Sequence, residues 1–328
     1  MKSINKKDTI FVAGHTGMVG SALVRELLKK GYNNLYLPTR KELNLLNQGS
    51  VKEWFNKKKP NVVILAAAKV GGIEANSKYP ADFILQNLKI QTNVIENSWA
   101  NNVKKFLFFG SSCIYPKFSP QPIKEEYLLK GALEETNEPY AIAKIAGLKL
   151  CSALTRQHKF NAISLMPTNL YGPGDNYNLS TSHVLPAFIN RFYKAKLRGE
   201  KIIKCWGSGN PQREFLHVDD LANASIFILE NYSLNKNASL ENEMPELLNV
   251  GTGKDIKIKD LAYLIAKKID YKGEIIWDSS KPDGTPRKLL DISRLKNLGW
   301  ESSISLERGI ENTIKTYIND SKMGKIRN

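Results

Sequence analysis

Phe106-Leu107-Phe108-Phe109-Gly110-Ser111-Ser112-Cys113 is the stretch from which the fold reads outward. Four apolar residues closed by a glycine have the pattern of a strand buried on both faces, as in a parallel sheet. The Ser-Ser-Cys that follows then stands at the strand's carboxyl end, where open α/β sheets hold their ligands. Further on, Pro139-Tyr140-Ala141-Ile142-Ala143-Lys144 opens a helix. The Tyr140/Lys144 spacing sets both side chains on one helical face, one turn from each other. A hydroxyl, a thiol, a phenol and an ammonium thereby converge on one crevice.

That combination suits ketone reduction, in which a hydride reaches carbon while a proton reaches oxygen. A phenol, with an unperturbed pKa of about 10, is a poor acid-base group near neutrality. An ammonium roughly 4 Å away interacts at about 4 kcal/mol for an effective dielectric near 20. That is worth about 3 pKa units and would bring Tyr140 into the useful range, with Ser111 holding the carbonyl oxygen. The spacing alone is not diagnostic, because Tyr232/Lys236 and Tyr263/Lys267 repeat it. The first pair follows an apolar helix into an Asn-rich segment, and the second lies in an ordinary amphipathic helix. Tyr140 is set apart by the Gly-Ser-Ser strand end before it and by a nucleotide motif near residue 14.

That motif follows the β-rich run Thr9-Ile10-Phe11-Val12-Ala13. It reads Gly14-His15-Thr16-Gly17-Met18-Val19-Gly20 and leads into a helical pattern through Lys29. The three glycines give a tight turn, close backbone approach to a pyrophosphate, and close helix–strand packing. The helix N-terminus offers free N–H donors and the positive end of its dipole. A second strand, Leu35-Tyr36-Leu37, ends in Pro38-Thr39-Arg40-Lys41. An acidic residue there would serve the ribose 2′-hydroxyl of NAD, whereas Arg40 and Lys41 suit the 2′-phosphate of NADP. The alternative for that segment is a plain basic loop.

Val62–Ala68 is another buried strand, whose alanines leave room for a dinucleotide. Pro80–Asn101 and Tyr140–His158 are long helices, suited to the seam of a homodimer. The strand Ala162–Met166 leaves through Pro167-Thr168-Asn169-Leu170-Tyr171-Gly172-Pro173-Gly174, whose punctuation marks a change of organisation. The expected class is α/β, a Rossmann-type doubly wound parallel sheet with a smaller C-terminal α/β substrate domain. The first domain spans 1–172, with segments near 214–254 returning to it, and the second spans mainly 173–328. Asn235–Glu243 is the one expected floppy loop.

At 328 residues a large core is no difficulty, since a chain of this size buries roughly three quarters of its unfolded surface. The hydrophobic fraction of 42% and charged fraction of 24% are those of a soluble globular protein. The longest apolar run falls far short of a membrane span, and Met1–Lys7 is basic with no apolar stretch of signal length behind it. Cys113, Cys151 and Cys205 are odd in number and show no metal-ligand spacing, which suits a reducing cytoplasm. The net charge of +16 is scattered and accompanied by no nucleic-acid motif, so a phosphorylated small-molecule partner accounts for it better than nucleic acid.

The nucleotide turn, Ser111, Tyr140 and Lys144 together resemble the extended short-chain dehydrogenase/reductase family, whose members act on nucleotide-diphosphate sugars. The likeness is nearest to those members that invert C3 and C5 of a GDP-linked 4-keto sugar and then reduce C4. It runs through Ala66–Ile73, Gly110–Pro116, Asn137–Lys144, Met166–Pro173, Arg213–Asp220 and Lys281–Lys288, nearly the whole chain. It implies that Cys113 is the base and His183 the acid of the inversions, with Tyr140, Lys144 and Ser111 serving the reduction by NADPH. Both thiol and imidazole exchange protons near neutrality. Read alone, Cys113 is equally a small buried hydrophobe, and His183, after Ser180-Thr181-Ser182, a helix-start residue. The cofactor would lie along Gly14, His15, Thr16, Gly17, Met18, Val19, Gly20, Arg40, Lys41, Asn44, Leu45, Phe109, Gly110, Ser111, Ser112 and Lys144. Pro167, Thr168, Asn169, Leu170 and His183 would line its nicotinamide end. Arg191, Trp206, Arg213, Lys281, Asp283 and Arg287 would hold the GDP-sugar, with plain core as the other reading of Trp206. One departure stands out: Thr16 occupies a place where some members carry an arginine beside the 2′-phosphate. The rival readings are a simple 4-epimerase, a 4,6-dehydratase, and a non-catalytic NADP-sensing protein.

Overall fold

A computed structural model describes residues 3–179, 181–232, 247–281 and 283–327. The expected loop Asn235–Glu243 and Lys236 lie outside the described residues. In chain order the elements begin β1 (Ile10–Ala13), α1 (Met18–Lys29), β2 (Leu35–Tyr36), α2 (Gln48–Lys58), β3 (Val62–Leu65), α3 (Ile73–Lys78) and α4 (Pro80–Ala100). They continue β4 (Lys105–Phe109), α5 (Glu138–His158), β5 (Ala162–Pro167), β6 (Asn169–Tyr171), α6 (Val184–Arg198), β7 (Ile202–Trp206) and β8 (Gln212–His217). The last are α7 (Val218–Asn231), β9 (Leu247–Val250), β10 (Asp255–Lys257), α8 (Ile258–Ile269), β11 (Glu274–Asp278), β12 (Arg287–Lys288), α9 (Ser293–Asn297) and α10 (Leu306–Lys322).

The main sheet has the order β2-β1-β3-β4-β5-β9, and every pairing in it is parallel. All residues of β1, β3, β4, β5 and β9 are buried, which is why these strands read as mainly apolar runs instead of alternating ones, with Lys105, Ser164 and Asn249 the polar exceptions. One face packs on α1 and α7 through Leu23, Leu27, Leu221 and Ile228. The other packs on α2, α4 and α5 through Val51, Phe55, Val94, Ile145 and Leu148. Pro80 and Pro139 open α4 and α5, where a missing N–H costs nothing. The strand order reverses between β1 and β3, and that switch point is where a doubly wound sheet binds a nucleotide.

A smaller assembly closes the carboxyl ends of these strands. β8 pairs with β6, β10 and β12, and β7 pairs with β11. Its core is built by α6, α8 and α10 through Phe188, Phe192, Leu261, Ile265, Ile314 and Tyr317. The segment that rejoins the main sheet is narrower than 214–254: it comprises α7 and β9, while β8 and β10 on either side belong to the smaller sheets. Among the described residues no helix is long and apolar enough to cross a membrane. Among the described residues, Cys113, Cys151 and Cys205 form no disulfide.

Candidate active site

β4 ends at Phe109, and the chain turns at once. Ser111 is extended, and its Oγ accepts the Cys113 N–H at 3.2 Å, opening a short 3₁₀ turn over Ser112–Ile114. Ser112 is buried beneath this turn, while Ser111 and Cys113 remain half-buried on its open side. α5 delivers Tyr140 and Lys144 to the same place. Tyr140 stands edge-on to Phe83, with ring centroids 6.4 Å apart, and its phenol shares a hydrogen bond with Ser111. Thiol, hydroxyl and phenol therefore form one continuous cluster.

Lys144 behaves differently from what its spacing suggests. Its ammonium is buried, donates to the Phe109 carbonyl at 2.8 Å, and lies 5.9 Å from the centre of the Tyr140 ring. Desolvation lowers this lysine from 10.5 to about 8. Tyr140 is pushed above its ordinary value by desolvation and by the charge of Cys113, with the Ser111 hydrogen bond pulling the other way. The expected lowering of the phenol by a cation 4 Å away is thus not found, because the cation is turned to a backbone carbonyl. Of the other two Tyr-x-x-x-Lys pairs, Tyr263 is 52% exposed on α8, and Lys236 lies outside the described residues.

The opposite wall comes from the smaller assembly. β12 runs parallel to β8 with Lys288 opposite Arg213. The Lys288 ammonium lies 3.9 Å from Cys113 Sγ, and its charge also acts on His183. His183 holds the N-cap position of α6, but its imidazole caps nothing. The residue is exposed, yet enough protein surrounds it to desolvate the imidazole. Desolvation, then Lys288, lowers it below the usual imidazole value. Arg213 is lowered by desolvation and feels Cys113, Glu134 and Asp283. Cys113, Lys117, Glu134, Thr285, Arg287 and Lys288 line one cleft. Lys288 and Glu134 were not singled out from sequence; the pairing of β12 with β8 that brings Lys288 to the thiol has no short-range signal.

The nucleotide end is a preformed cradle. Gly14 has φ +85°, and a Cβ on it would stand 2.7 Å from the backbone of Ala67. A Cβ on Gly20 would stand 2.1 Å from the Gly14 carbonyl oxygen, so α1 packs on the turn as only glycines permit. No side chain caps the first turn of α1, where Met18 and Val19 lie, leaving its N–H groups for an anion. His15 Nδ1 is buried without a partner. Thr16, Arg40 and Lys41 are exposed. Glu42, the acid beside them, is occupied by the Thr39 N–H at 2.7 Å and hydroxyl at 2.9 Å, which lower its pKa. Asn44 Oδ1 accepts the Leu46 N–H, and the Leu45 carbonyl accepts from Asn93. Two exposed cations without an ion-pair partner among the described residues, an uncapped helix start and an orphaned imidazole nitrogen fit a phosphorylated dinucleotide.

Between cradle and cleft, the 167–170 segment is pinned by its neighbours. Pro167 ends β5, the Thr168 N–H donates to the Val250 carbonyl, and Asn169 Nδ2 donates to the Glu214 carbonyl at 2.8 Å. Leu170 packs against the main core, and Gly110 N–H donates to the Leu165 carbonyl. On the substrate side, Trp206 is 69% exposed, which sets aside its reading as core. Lys281 stands 5.9 Å over the Trp206 ring. Asp283 accepts from Ser208 N–H and hydroxyl, tying the two loops together. Arg191 donates to the Lys204 carbonyl, and Arg287 pairs with Asp255. Arg213 is the guanidinium that feels the charge of the thiol, and Arg287 lines the same cleft.

The family model described as the NAD dependent epimerase/dehydratase family matches residues 10–251. The chain belongs to this family. Within the family, it is 54% identical to the GDP-L-fucose synthase of Escherichia coli (strain K12), covering 95% of this chain and 97% of that one. Among solved structures, a GDP-6-OMe-4-keto-L-xylo-heptose reductase from C. jejuni superposes with a TM-score of 0.92 at 37% identity, over 97% and 99% of the two chains. A GDP-L-fucose synthetase from Naegleria fowleri, solved bound to NADP, gives 0.86 at 26% identity, over 98% of each chain.

Proposed function

We propose that the chain converts GDP-4-keto-6-deoxy-D-mannose to GDP-L-fucose, inverting C3 and C5 and reducing C4 with NADPH. One observation carries the reading: the Cys113 N–H donates to Ser111 Oγ, which shares a hydrogen bond with the Tyr140 phenol, and the Cys113 thiol lies 3.9 Å from Lys288, whose charge also acts on His183. The relatives at 54% identity support the same activity. A C4 ketone makes the hydrogens on C3 and C5 acidic. Cys113 removes a proton from one face of the ring, and Lys288 offers its positive charge to the thiolate. His183 returns a proton from the other face. Tyr140, held by Ser111, gives its proton to O4, and Lys144 supplies positive charge beneath the ring. NADPH, when bound, supplies the hydride to C4. Gly14–Gly20, Arg40, Lys41 and the 167–170 segment hold it; Arg213, Arg191, Lys281 and Trp206 hold the GDP moiety. Arginines offer paired donors to diphosphate, and an indole covers an apolar face.

A dehydratase needs an acid-base pair beside the serine, and Ser112, at 4% exposure, is buried. The enzyme acts in the cytoplasm as a homodimer, supported by cysteines that form no disulfide and by Leu85 on α4 and Ile142 on α5, which are 52% and 42% exposed. Sedimentation at twice the chain mass of 36.9 kDa, falling to that mass on Ile142→Glu, is the expected result. The decisive assay incubates the protein with GDP-4-keto-6-deoxy-D-mannose and NADPH and identifies the sugar by NMR. A reduced sugar with C3 and C5 unchanged would sink the reading. Cys113→Ser is expected to abolish solvent-deuterium exchange at C3 and C5 while sparing reduction of an already inverted ketone. Tyr140→Phe should do the reverse.

A further inference from the structure

Arg327, in the segment after α10, brings a guanidinium to the nucleotide turn. Its carbonyl accepts the Tyr177 N–H at 3.0 Å, and its Nη1 donates to the Gly174 carbonyl at 3.5 Å. Gly174 lies against the start of α1: a Cβ there would meet Met18 Cα and Ser21 Oγ at 3.7 Å. The segment is thus fastened to a loop that is itself packed on the uncapped end of α1. Nη1 comes within 4.0 Å of where a Cβ on Gly17 would stand. Gly17 is the middle glycine of the turn, the position left bare so that a pyrophosphate can approach the backbone.

The turn carries no permanent cation of its own, for between Gly14 and Gly20 the only titratable side chain is His15. Arg327 is exposed, and beyond the long bond to Gly174 its guanidinium has no hydrogen-bond or ion-pair partner among the described residues. Asp175, a carboxyl group on which its charge acts, is buried and has one oxygen without a partner. A cation is therefore held by main-chain ties at the place where two phosphates of the cofactor would sit, with donors to spare.

We infer that Arg327 binds the cofactor's diphosphate, supplying from outside the turn the charge that the turn lacks. The inference rests on the NADP reading above. Its test measures Kd for NADPH and NADH by calorimetry on the full chain, wild type against Arg327→Met and Arg327→Lys, at several salt concentrations. A charge-assisted hydrogen bond corresponds to about a tenfold change or more. Arg327→Met should weaken both coenzymes by about tenfold and flatten the salt dependence of log Kd, and Arg327→Lys should recover part of each. Unchanged affinity for both coenzymes overturns the inference. So does a loss confined to NADPH, which would move the contact to the 2′-phosphate. Weakened binding with an unchanged salt slope also overturns it, since that is what a displaced segment without a phosphate contact would give. If the wild type binds neither coenzyme, the NADP reading fails before the variants are compared.

Discussion

Lys144 is an ammonium at 4% exposure that donates to the Phe109 carbonyl, and its burial lowers it to about 8. Between that value and 10.5 the unfolded chain holds a proton that the folded chain lacks. Stability of the cofactor-free protein therefore rises with pH across that window, by at most about 1.4 kcal/mol per pH unit for this group. Lys105, also lowered to about 8 by burial, adds a second contribution of the same sign. Lys144→Met is expected to remove one of the two. Denaturant titrations at pH 8 and pH 10 should show a smaller gain for the variant than for the wild type, together with reductase activity lower by about 10² or more. An equal gain would mean that this residue is not the titrating group. The roles of Ser111, Tyr140 and Lys144 were legible because they follow one strand end and one helical turn. The direction of the Lys144 bond was not, because spacing gives the shared helix face but not which acceptor the ammonium meets.

At the level of elements, α5 approaches β4 more closely than an ordinary helix could. A Cβ on Gly147 would stand 2.7 Å from Phe108 and 2.8 Å from Gln91, and Gln91 in turn donates to the Ala143 carbonyl. That contact fixes the depth of the helix one turn beyond Lys144. Gly147→Ala is expected to cost about 1–3 kcal/mol by overpacking, and to lower kcat more than it raises KM for the coenzyme. A melting curve and steady-state kinetics check both parts. The parallel sheet, the glycine turn and the long helices could be read from runs of apolar residues and their closing glycines. Lys288 could not: it becomes part of the site through β12, two residues long, whose register against β8 is set by contacts remote in sequence. Trp206 shows the same limit, since an isolated indole in a strand gives no sign of whether its outer face is covered.

On the scale of the whole molecule, the chain leaves the main sheet after β5, builds part of the smaller assembly, and returns as α7 and β9 before leaving again. Glu214, buried on β8, ties these passages together by accepting N–H bonds from Thr252, Gly253 and Leu290. A fragment of residues 1–172 would lack β9 beside β5 and the helix that covers Leu23 and Leu27. It is expected to bind a hydrophobic dye and to aggregate, even though it contains the whole glycine turn; a soluble, cooperatively melting fragment would show the opposite. During synthesis the same arrangement imposes a wait. A ribosome moving at about 5–20 residues per second takes roughly 4–16 s to travel from residue 172 to residue 250. For that interval the nascent sheet has an open edge and a bare greasy face, which makes it a natural client for chaperones.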